Sequence, residues 1–382
     1  MSMSMSMTVR ASSARAPGRR AARWLGAAVA LASLSACSSA GYYWQSVSDH
    51  LQLMNAARPV AQWLADDAVP APLKARLGLS QRIRDFASTE LKLPDNASYR
   101  RYADLQRSAA VWNVVAAPEF SLTLKTWCFP VAGCVGYRGY FSEPDAKAEA
   151  ARIRDQGMEV AVYGVPAYST LGWLDWAGGD PLLNTFIRYT EGELARLIFH
   201  ELAHQVVYVK NDTAFNESFA TAVERLGAAR WLAAESARGN SQAASDYAAF
   251  DQRRQQFRAL TQRTSRALAS VYKQNDAEVD MERAQAATKS IAKEAVMQTF
   301  RADYAQLKAS WGGYAGYDGW VRQANNAAFG AQAAYDDLVP GFEALFERNG
   351  RDFMRFYGAV RELGALAKPE RHQALKTPSS PQ

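Results

Sequence analysis

Apolar residues in the amino-terminal third of the chain recur at steps of three and four, as an amphipathic helix requires. Trp44, Val47, Leu51 and Met54 follow this spacing. Prolines between positions 59 and 94 then divide the sequence into shorter segments, because a helix usually ends before a proline. The pattern predicts a helical layer over residues 37–109.

Alternating and β-branched residues dominate the next part of the chain, residues 110–190, and favour strands. The predicted strands are residues 111–115, 121–127, 137–141 and 159–165. One helix is predicted between them, at residues 145–156, where Ala146, Ala150 and Ile153 share one side. The pattern therefore predicts a small β-rich part.

Helical composition returns in residues 191–367. From position 191 to position 312 the sequence has no proline, and its second half is rich in Ala, Gln, Arg, Lys and Glu, which is typical of long helices. Residues 274–276 resemble a turn, so a helical hairpin is predicted at about residues 230–310. Residues 368–382 are polar and rich in Pro and Ser, and are predicted to be a disordered tail. The predicted fold class is α+β, mainly helical.

The first 36 residues have the features of a bacterial lipoprotein signal peptide. Five arginines and no acidic residue accompany an apolar run from Trp24 to Ala36, which is short for a membrane-spanning helix. The run ends in Leu34-Ser35-Ala36-Cys37, which matches a lipobox, so a lipid anchor to the membrane is predicted at Cys37. Ser38 favours the outer membrane, and the predicted location is the cell envelope, facing the periplasm. An uncleaved membrane anchor with an incidental cysteine is the alternative.

The basic charge of the chain belongs to this signal segment. The sequence has 44 Lys and Arg and 38 Asp and Glu. Residues 1–36 hold five of the arginines and no acid, which leaves 39 basic and 38 acidic residues in the rest. A nearly neutral chain lacks the electrostatic footprint of a nucleic-acid-binding protein, so no nucleic-acid partner is predicted.

Two further cysteines, Cys128 and Cys134, enclose a five-residue loop that contains Pro and Gly. In an oxidising periplasm, such a pair is predicted to form a disulfide. A metal-binding role is the weaker alternative, because no other cysteine lies nearby in the sequence.

The strongest chemical signal is a His-Glu-x-x-His motif, His200-Glu201-Leu202-Ala203-His204, within an apolar run. Residues four apart lie on one face of a helix, so His200 and His204 can bind one Zn²⁺ ion and Glu201 can reach a water on the metal. Thr190 and Glu193 predict a capping box at the start of this helix. The alternative is a helix that carries these residues by coincidence.

A catalytic zinc site needs a third protein ligand. Residues 209–212 predict a turn, and a second helix is predicted to begin near Thr213. It carries Glu217, thirteen residues after His204, and a helix-turn-helix of this length can fold the carboxylate onto the two imidazoles. Glu217 is the predicted third ligand, with a surface role as the alternative. Glu224 could orient a ligating histidine, or be solvated or salt-bridged.

The two motifs resemble the gluzincin metallopeptidases, in which a glutamate on the helix after HExxH completes the zinc site. Asn216-Glu217-Ser218-Phe219-Ala220 is similar to Asn-Glu-Gly-Phe-Ala of aminopeptidase-N-like enzymes. The spacing between the motifs is shorter here, and the Gly-x-Met-Glu-Asn strand of those enzymes has only a partial counterpart in Gly157–Val160. Over most of its length the chain resembles a bacterial lipoprotein family described as predicted aminopeptidases. Residues 167–173, the two motifs and residues 325–327 carry this resemblance.

The resemblance implies a gluzincin-like, thermolysin-like core and a peptide substrate. In such a core an edge strand pairs with the bound peptide, which would place residues 164–170 beside the substrate. An ordinary exit from the strand is the alternative. Glu201 would act as general base on a zinc-bound water, with His200, His204 and Glu217 as ligands.

Two further groups are needed for an aminopeptidase. A donor must stabilise the oxyanion, and Tyr335 is the first candidate and Tyr317 the second, with core packing as the alternative for both. An acidic group must bind the substrate ammonium, for which Glu159 and Asp175 are candidates.

The predicted function is zinc-dependent peptide hydrolysis by a lipid-anchored envelope protein, in the first place as an aminopeptidase. A zinc endopeptidase of the envelope is one alternative. A lipoprotein assembly or binding factor without catalysis is another. Glu201 argues against the last, since a structural zinc site needs no general base.

Overall fold

The computed structural model describes residues 52–129, 133–167, 178–273, 282–333 and 338–376. All of them belong to the compact unit Gln52–Gln382. The predictions for Cys37 and its signal segment, for Tyr335, for Asp175 and for the turn at residues 274–276 lie outside the described residues. Within those ranges, none of the helices combines the length and hydropathy needed to cross a lipid bilayer.

The described chain is mainly helical with small sheets, in agreement with the predicted α+β class. The helices are α1 (Val60–Ala65), α2 (Ala71–Thr89), α3 (Glu143–Arg154), α4 (Glu191–Ala203), α5 (Thr213–Ala237), α6 (Ser241–Lys273), α7 (Glu282–Ser310), α8 (Asp318–Arg322), α9 (Asn326–Ala333), α10 (Val339–Arg348), α11 (Phe353–Ala365) and α12 (Lys368–Lys376). The strands are β1 (Arg58–Pro59), β2 (Arg101–Ala103), β3 (Val111–Pro118), β4 (Trp127–Phe129), β5 (Gly133–Val135), β6 (Arg138–Tyr140), β7 (Met158–Val165) and β8 (Leu182–Leu183).

The largest sheet has β3 at its centre, paired antiparallel with β6 on one side and β7 on the other. Alternate residues of β3 face opposite sides, as strand geometry requires. Trp112, Val114 and Ala116 pack against α3, whereas Val115 and Ala117 pack against α9. Both faces are therefore covered by helices, and β7 forms an edge of the sheet.

The main core lies between α4 and α5, which contact each other and α2. Phe199 of α4, Phe219 of α5 and Phe342 of α10 are fully buried in it. The two long helices α6 and α7 pack side by side and, with α8 and α9, enclose a second apolar cluster around Phe257 and Phe300. The core thus fixes α4 and α5, the two helices that carry the predicted ligands.

The structure differs from the sequence prediction in several segments. The layer predicted to be helical, residues 37–109, also contains the strands β1 and β2. Of the strand predicted at residues 121–127, only Trp127 belongs to a strand, β4. Leu122 and Leu124 pack onto two apolar clusters instead, so their alternation reflects packing and not strand pairing. Residues from position 368 were predicted to be disordered, but α12 forms there, with Arg371 and Leu375 buried.

Candidate metal centre

The helix α4 begins with the predicted capping box. The Glu193 carboxylate accepts hydrogen bonds from the Thr190 backbone N–H, at 3.3 Å, and from the Thr190 hydroxyl, at 2.6 Å. Leu194, Ile198 and Leu202 are fully buried on the core side of the helix. The His-Glu-x-x-His residues consequently lie on the other side.

The turn after α4 is fixed by the residue that precedes Glu217. The Asn216 side chain donates to the Val209 carbonyl and accepts from the Val209 N–H, both at 2.8 Å. Asp212 caps α5 by accepting from the Phe215 N–H at 3.3 Å. These contacts fold the first turns of α5 back towards α4. The sequence analysis did not identify this role of Asn216.

Three ligand atoms from α4, its carboxyl end and α5 converge. His200 Nε2 lies 3.2 Å from His204 Nε2. Glu217 Oε2 lies 3.4 Å from the first of these atoms and 3.8 Å from the second. In the described part of the chain, His200, His204 and Glu217 form a group that could hold a metal ion. Two imidazole nitrogens and one carboxylate oxygen form a donor set that suits catalytic zinc.

The protonation of the two histidines differs. Burial lowers the pKa of His204 to about 4 and outweighs the attraction of Glu217, which leaves His204 in the neutral form that binds metals. Burial acts on His200 in the same direction, but hydrogen bonds with Glu217 and Glu224 outweigh it and raise the pKa of His200 well above its ordinary value. A metal ion must therefore displace a proton from His200 to bind there.

Glu224 connects His200 to two arginines. Its Oε2 lies 3.1 Å from His200 Nδ1, and its Oε1 contacts Arg196 and lies 3.4 Å from an Arg254 nitrogen. Burial acts to raise the pKa of Glu224, but the charge of Arg196 and the hydrogen bond with His200 outweigh it and lower that pKa. Both roles considered from the sequence, orientation of a histidine and ion pairing, therefore apply to this carboxylate.

Glu201 lies beside the ligand group, on the wall of a cavity of about 240 Å³. His200, Leu197 and Glu193 of the same helix also line this cavity. Phe250 of α6 lines it as well. A general base at this place can meet a substrate that enters the cavity.

Two tyrosines, Tyr163 of β7 and Tyr137 just before β6, lie close enough to Glu217 for its charge to act on them. Burial raises the pKa of Tyr163 to about 12, with Glu217 adding to the effect. Burial also raises the pKa of Tyr137, and the charges of Glu217 and Glu201 contribute. Both tyrosines pack on the same face of the sheet. Strand alternation alone could not show which face meets the ligand group.

Two other predicted candidates have different surroundings. Tyr317 stacks on Phe257, with ring centroids 4.1 Å apart, within the second apolar cluster. This contact is the packing role considered as its alternative. Glu159 contacts Lys293 and accepts a hydrogen bond from the Asn326 N–H at 2.7 Å. Its carboxylate is thus occupied at the start of α9.

A disulfide joins Cys128 to Cys134 across the β4–β5 pair. The Cys134 N–H donates to Asn211 Oδ1 at 2.8 Å, in the turn between α4 and α5. Gly133 has φ +76°, and a side chain there would collide with Asn211. The disulfide hairpin therefore rests directly on the turn that precedes the Glu217 helix.

Comparison with known proteins gives one match. The model of a family described as "Putative aminopeptidase" matches residues 41–375, which is most of the chain. No curated protein and no solved structure matches the chain significantly.

Proposed function

The chain belongs to the family described as "Putative aminopeptidase", and from that membership we propose a zinc-dependent peptidase that acts as an aminopeptidase. The observation that carries the proposal is the convergence of His200, His204 and Glu217 beside Glu201. Ligands of this kind on two consecutive helices correspond to a gluzincin-type site. The proposed metal is zinc, since it suits a His₂Glu set.

The chain's own residues would hold the metal and move the proton. Zinc at this site would lower the pKa of a water to about 7 and polarise the scissile carbonyl. The Glu201 carboxylate accepts a proton from the attacking water and passes it to the leaving amine. Glu224 accepts a hydrogen bond from His200 Nδ1–H, which keeps the Nε2 of that ring directed towards His204 and Glu217.

Among the described strands, β7 pairs with β3 alone, and its outer edge offers a binding place for an extended peptide. The Val160 carbonyl accepts from the Asn325 side chain at 3.1 Å, on the side away from β3. The backbones of Val162 and Gly164 point the same way, because orientation alternates along a strand. A groove of about 720 Å³ lies next to them. A peptide could pair with these two residues as an added strand.

Tyr335, which follows the predicted hairpin in the sequence, remains our first candidate for the oxyanion donor. Tyr137 and Tyr163 are a second pair of candidates, because the charge of Glu217 contributes to the raised pKa of both. A phenol hydroxyl can donate a hydrogen bond to a developing negative charge.

The signal segment and Cys37 support a lipid-anchored location in the cell envelope. We propose the outer membrane, with the catalytic part facing the periplasm. The Cys128–Cys134 disulfide fits such an oxidising compartment.

An endopeptidase is the second candidate. Glu159 is occupied by Lys293 and Asn326, so this candidate carboxylate for the substrate ammonium is already paired. A peptidase without an ammonium site would cleave inside longer chains.

The test compares the zinc-loaded protein with its Glu201→Gln variant on fluorogenic peptides with free and with blocked amino termini. We expect hydrolysis of the free peptides only, lost in the variant while zinc stays bound. Equal cleavage of the blocked peptides would identify an endopeptidase. Bound zinc without any turnover would contradict the enzymatic function and favour a binding factor.

A further inference from the structure

We infer that the carboxy-terminal helix α12 positions the third metal ligand, Glu217, by fixing the first turn of α5. The inference rests on the proposed metal site. It assigns a role to a set of residues more than 150 positions away from the ligand in the sequence.

The contact centres on Asp212, the N-cap of α5, which is only 1% exposed. An Arg371 nitrogen lies 3.1 Å from one carboxylate oxygen, and His372 Nε2 lies 2.9 Å from both. The Lys368 ammonium is 3.7 Å away. Three residues of α12 therefore surround one buried carboxylate, which also caps α5 through the Phe215 N–H.

Arg371 is itself fixed on both sides. Its guanidinium donates to the Leu366 carbonyl at 2.6 and 3.2 Å and is 7% exposed. It also lies 5.5 Å from the ring centroid of Phe215, the third residue of α5. The planar guanidinium thus holds the N-cap and the first turn of α5 together, which a lysine ammonium could not do in the same geometry.

The neighbouring helix α10 packs closely against α12. A side chain at Gly341 of α10 would collide with the Leu375 carbonyl of α12. Phe342 of α10 contacts Phe215 with ring centroids 5.1 Å apart. The helix α12 therefore packs on α10 and, through Asp212, on the start of α5.

Glu217 lies five residues after Asp212, about 7.5 Å along the helix axis. A buried carboxylate that loses a charged partner must move, take up water or become protonated, and each response disturbs the helix start that it caps. Because the ligand is in the second turn of α5, such a disturbance changes its distance from His200 and His204. We therefore expect the affinity for the metal to fall.

The experiment measures zinc affinity of the full chain by competition with a chromophoric chelator. Arg371→Gln is the main variant, and His372→Gln is a milder one in case the first folds poorly. Arg351→Gln is the matched control, because Arg351 is exposed and its ion pair among the described residues is a surface pair with Glu347. Hydrogen exchange of the amides of residues 213–217 in the metal-free chain reports the helix start directly.

We expect Arg371→Gln to weaken zinc binding about tenfold, which is the lower limit of the effect of removing a group that contacts a ligand directly. We also expect faster exchange at residues 213–217, partial recovery in Arg371→Lys, and no change in the control. A lower melting temperature with unchanged zinc affinity in both variants would overturn the inference, since α12 would then only stabilise the fold. Failure of the unmutated chain to bind zinc would instead refute the proposed function, and the exchange data would still decide whether α12 orders α5.

Discussion

Among single residues, Glu224 connects the metal centre to two arginines. Arg196, Arg254 and His200 all contact its carboxylate, which is about one-tenth exposed. We expect Glu224→Gln to weaken zinc binding about 10- to 100-fold, because His200 loses the acceptor that orients it. We also expect a loss of stability of about 3 kcal/mol, because the buried Arg196 loses its counter-charge.

Zinc competition and urea unfolding of the same samples check both effects. Glu347→Gln is the control, since Glu347 is exposed and, within the part of the chain that the structure describes, its ion pair is with Arg351. Its effect should stay within about 0.5 kcal/mol. Wild-type zinc affinity in Glu224→Gln would show that the carboxylate serves the arginines and not the metal centre.

The oxyanion donor is a second prediction at the residue scale. Tyr335→Phe should lower kcat by about 100-fold or more, because one donor to the developing charge is removed, and zinc binding should not change. Tyr314→Phe is the control, since Tyr314 is exposed and the phenylalanine ring can keep its contact with Arg253. If Tyr137→Phe lowered kcat and Tyr335→Phe did not, the oxyanion donor would be Tyr137 and not Tyr335.

The ligand group could be predicted from the sequence because its residues lie close together along the chain. His200, Glu201 and His204 follow helix periodicity, and Glu217 follows from a short turn. The sequence left two roles open for Glu224, which contacts His200. The position of a residue on its helix does not reveal which arginines approach it from other helices. Tyr137 was not found for the same reason: the groups that act on it, among them Glu217 and Tyr163, come from distant parts of the sequence.

Among the structural elements, the disulfide hairpin gives a third prediction. The bond between Cys128 and Cys134 closes a loop with a sequence separation of 6. A loop of this size restricts the unfolded chain by about 2 kcal/mol. The double variant Cys128→Ser, Cys134→Ser should therefore lose about that much stability in urea unfolding. A reducing agent should lower the stability of the wild type and leave the double variant unchanged; equal sensitivity of both would contradict the assignment.

The sequence predicted those elements that depend on local residue patterns and missed those that depend on contacts between distant residues. The strand β7 and the helix α3 were predicted, because their residue patterns match the faces they bury. Residues 121–126 alternate as a strand would, yet they insert apolar side chains into two clusters and form no regular strand, although the Lys125 N–H donates to the Ala116 carbonyl of β3 at 2.8 Å. The helix α12 has the composition of a tail, and it forms because Arg371 meets Asp212, a contact that no local pattern contains.

At the scale of the whole molecule, the metal should stabilise the fold as well as enable catalysis. The three ligands come from α4, its carboxyl end and α5, and these helices pack on each other in the main core. An ion that binds only the folded chain stabilises it by about 4 kcal/mol at a thousandfold excess over its Kd. For a chain of this size we expect a rise in Tm of about 5–10 °C on adding zinc.

Thermal unfolding with zinc and with a chelator tests this expectation. Glu217→Gln supplies the comparison: with one ligand lost, its Tm should respond to zinc much less than that of the wild type. The control Glu347→Gln should respond as the wild type does. An equal response in Glu217→Gln would mean that the stabilising zinc is bound elsewhere, and Glu217 would then have to be removed from the ligand set.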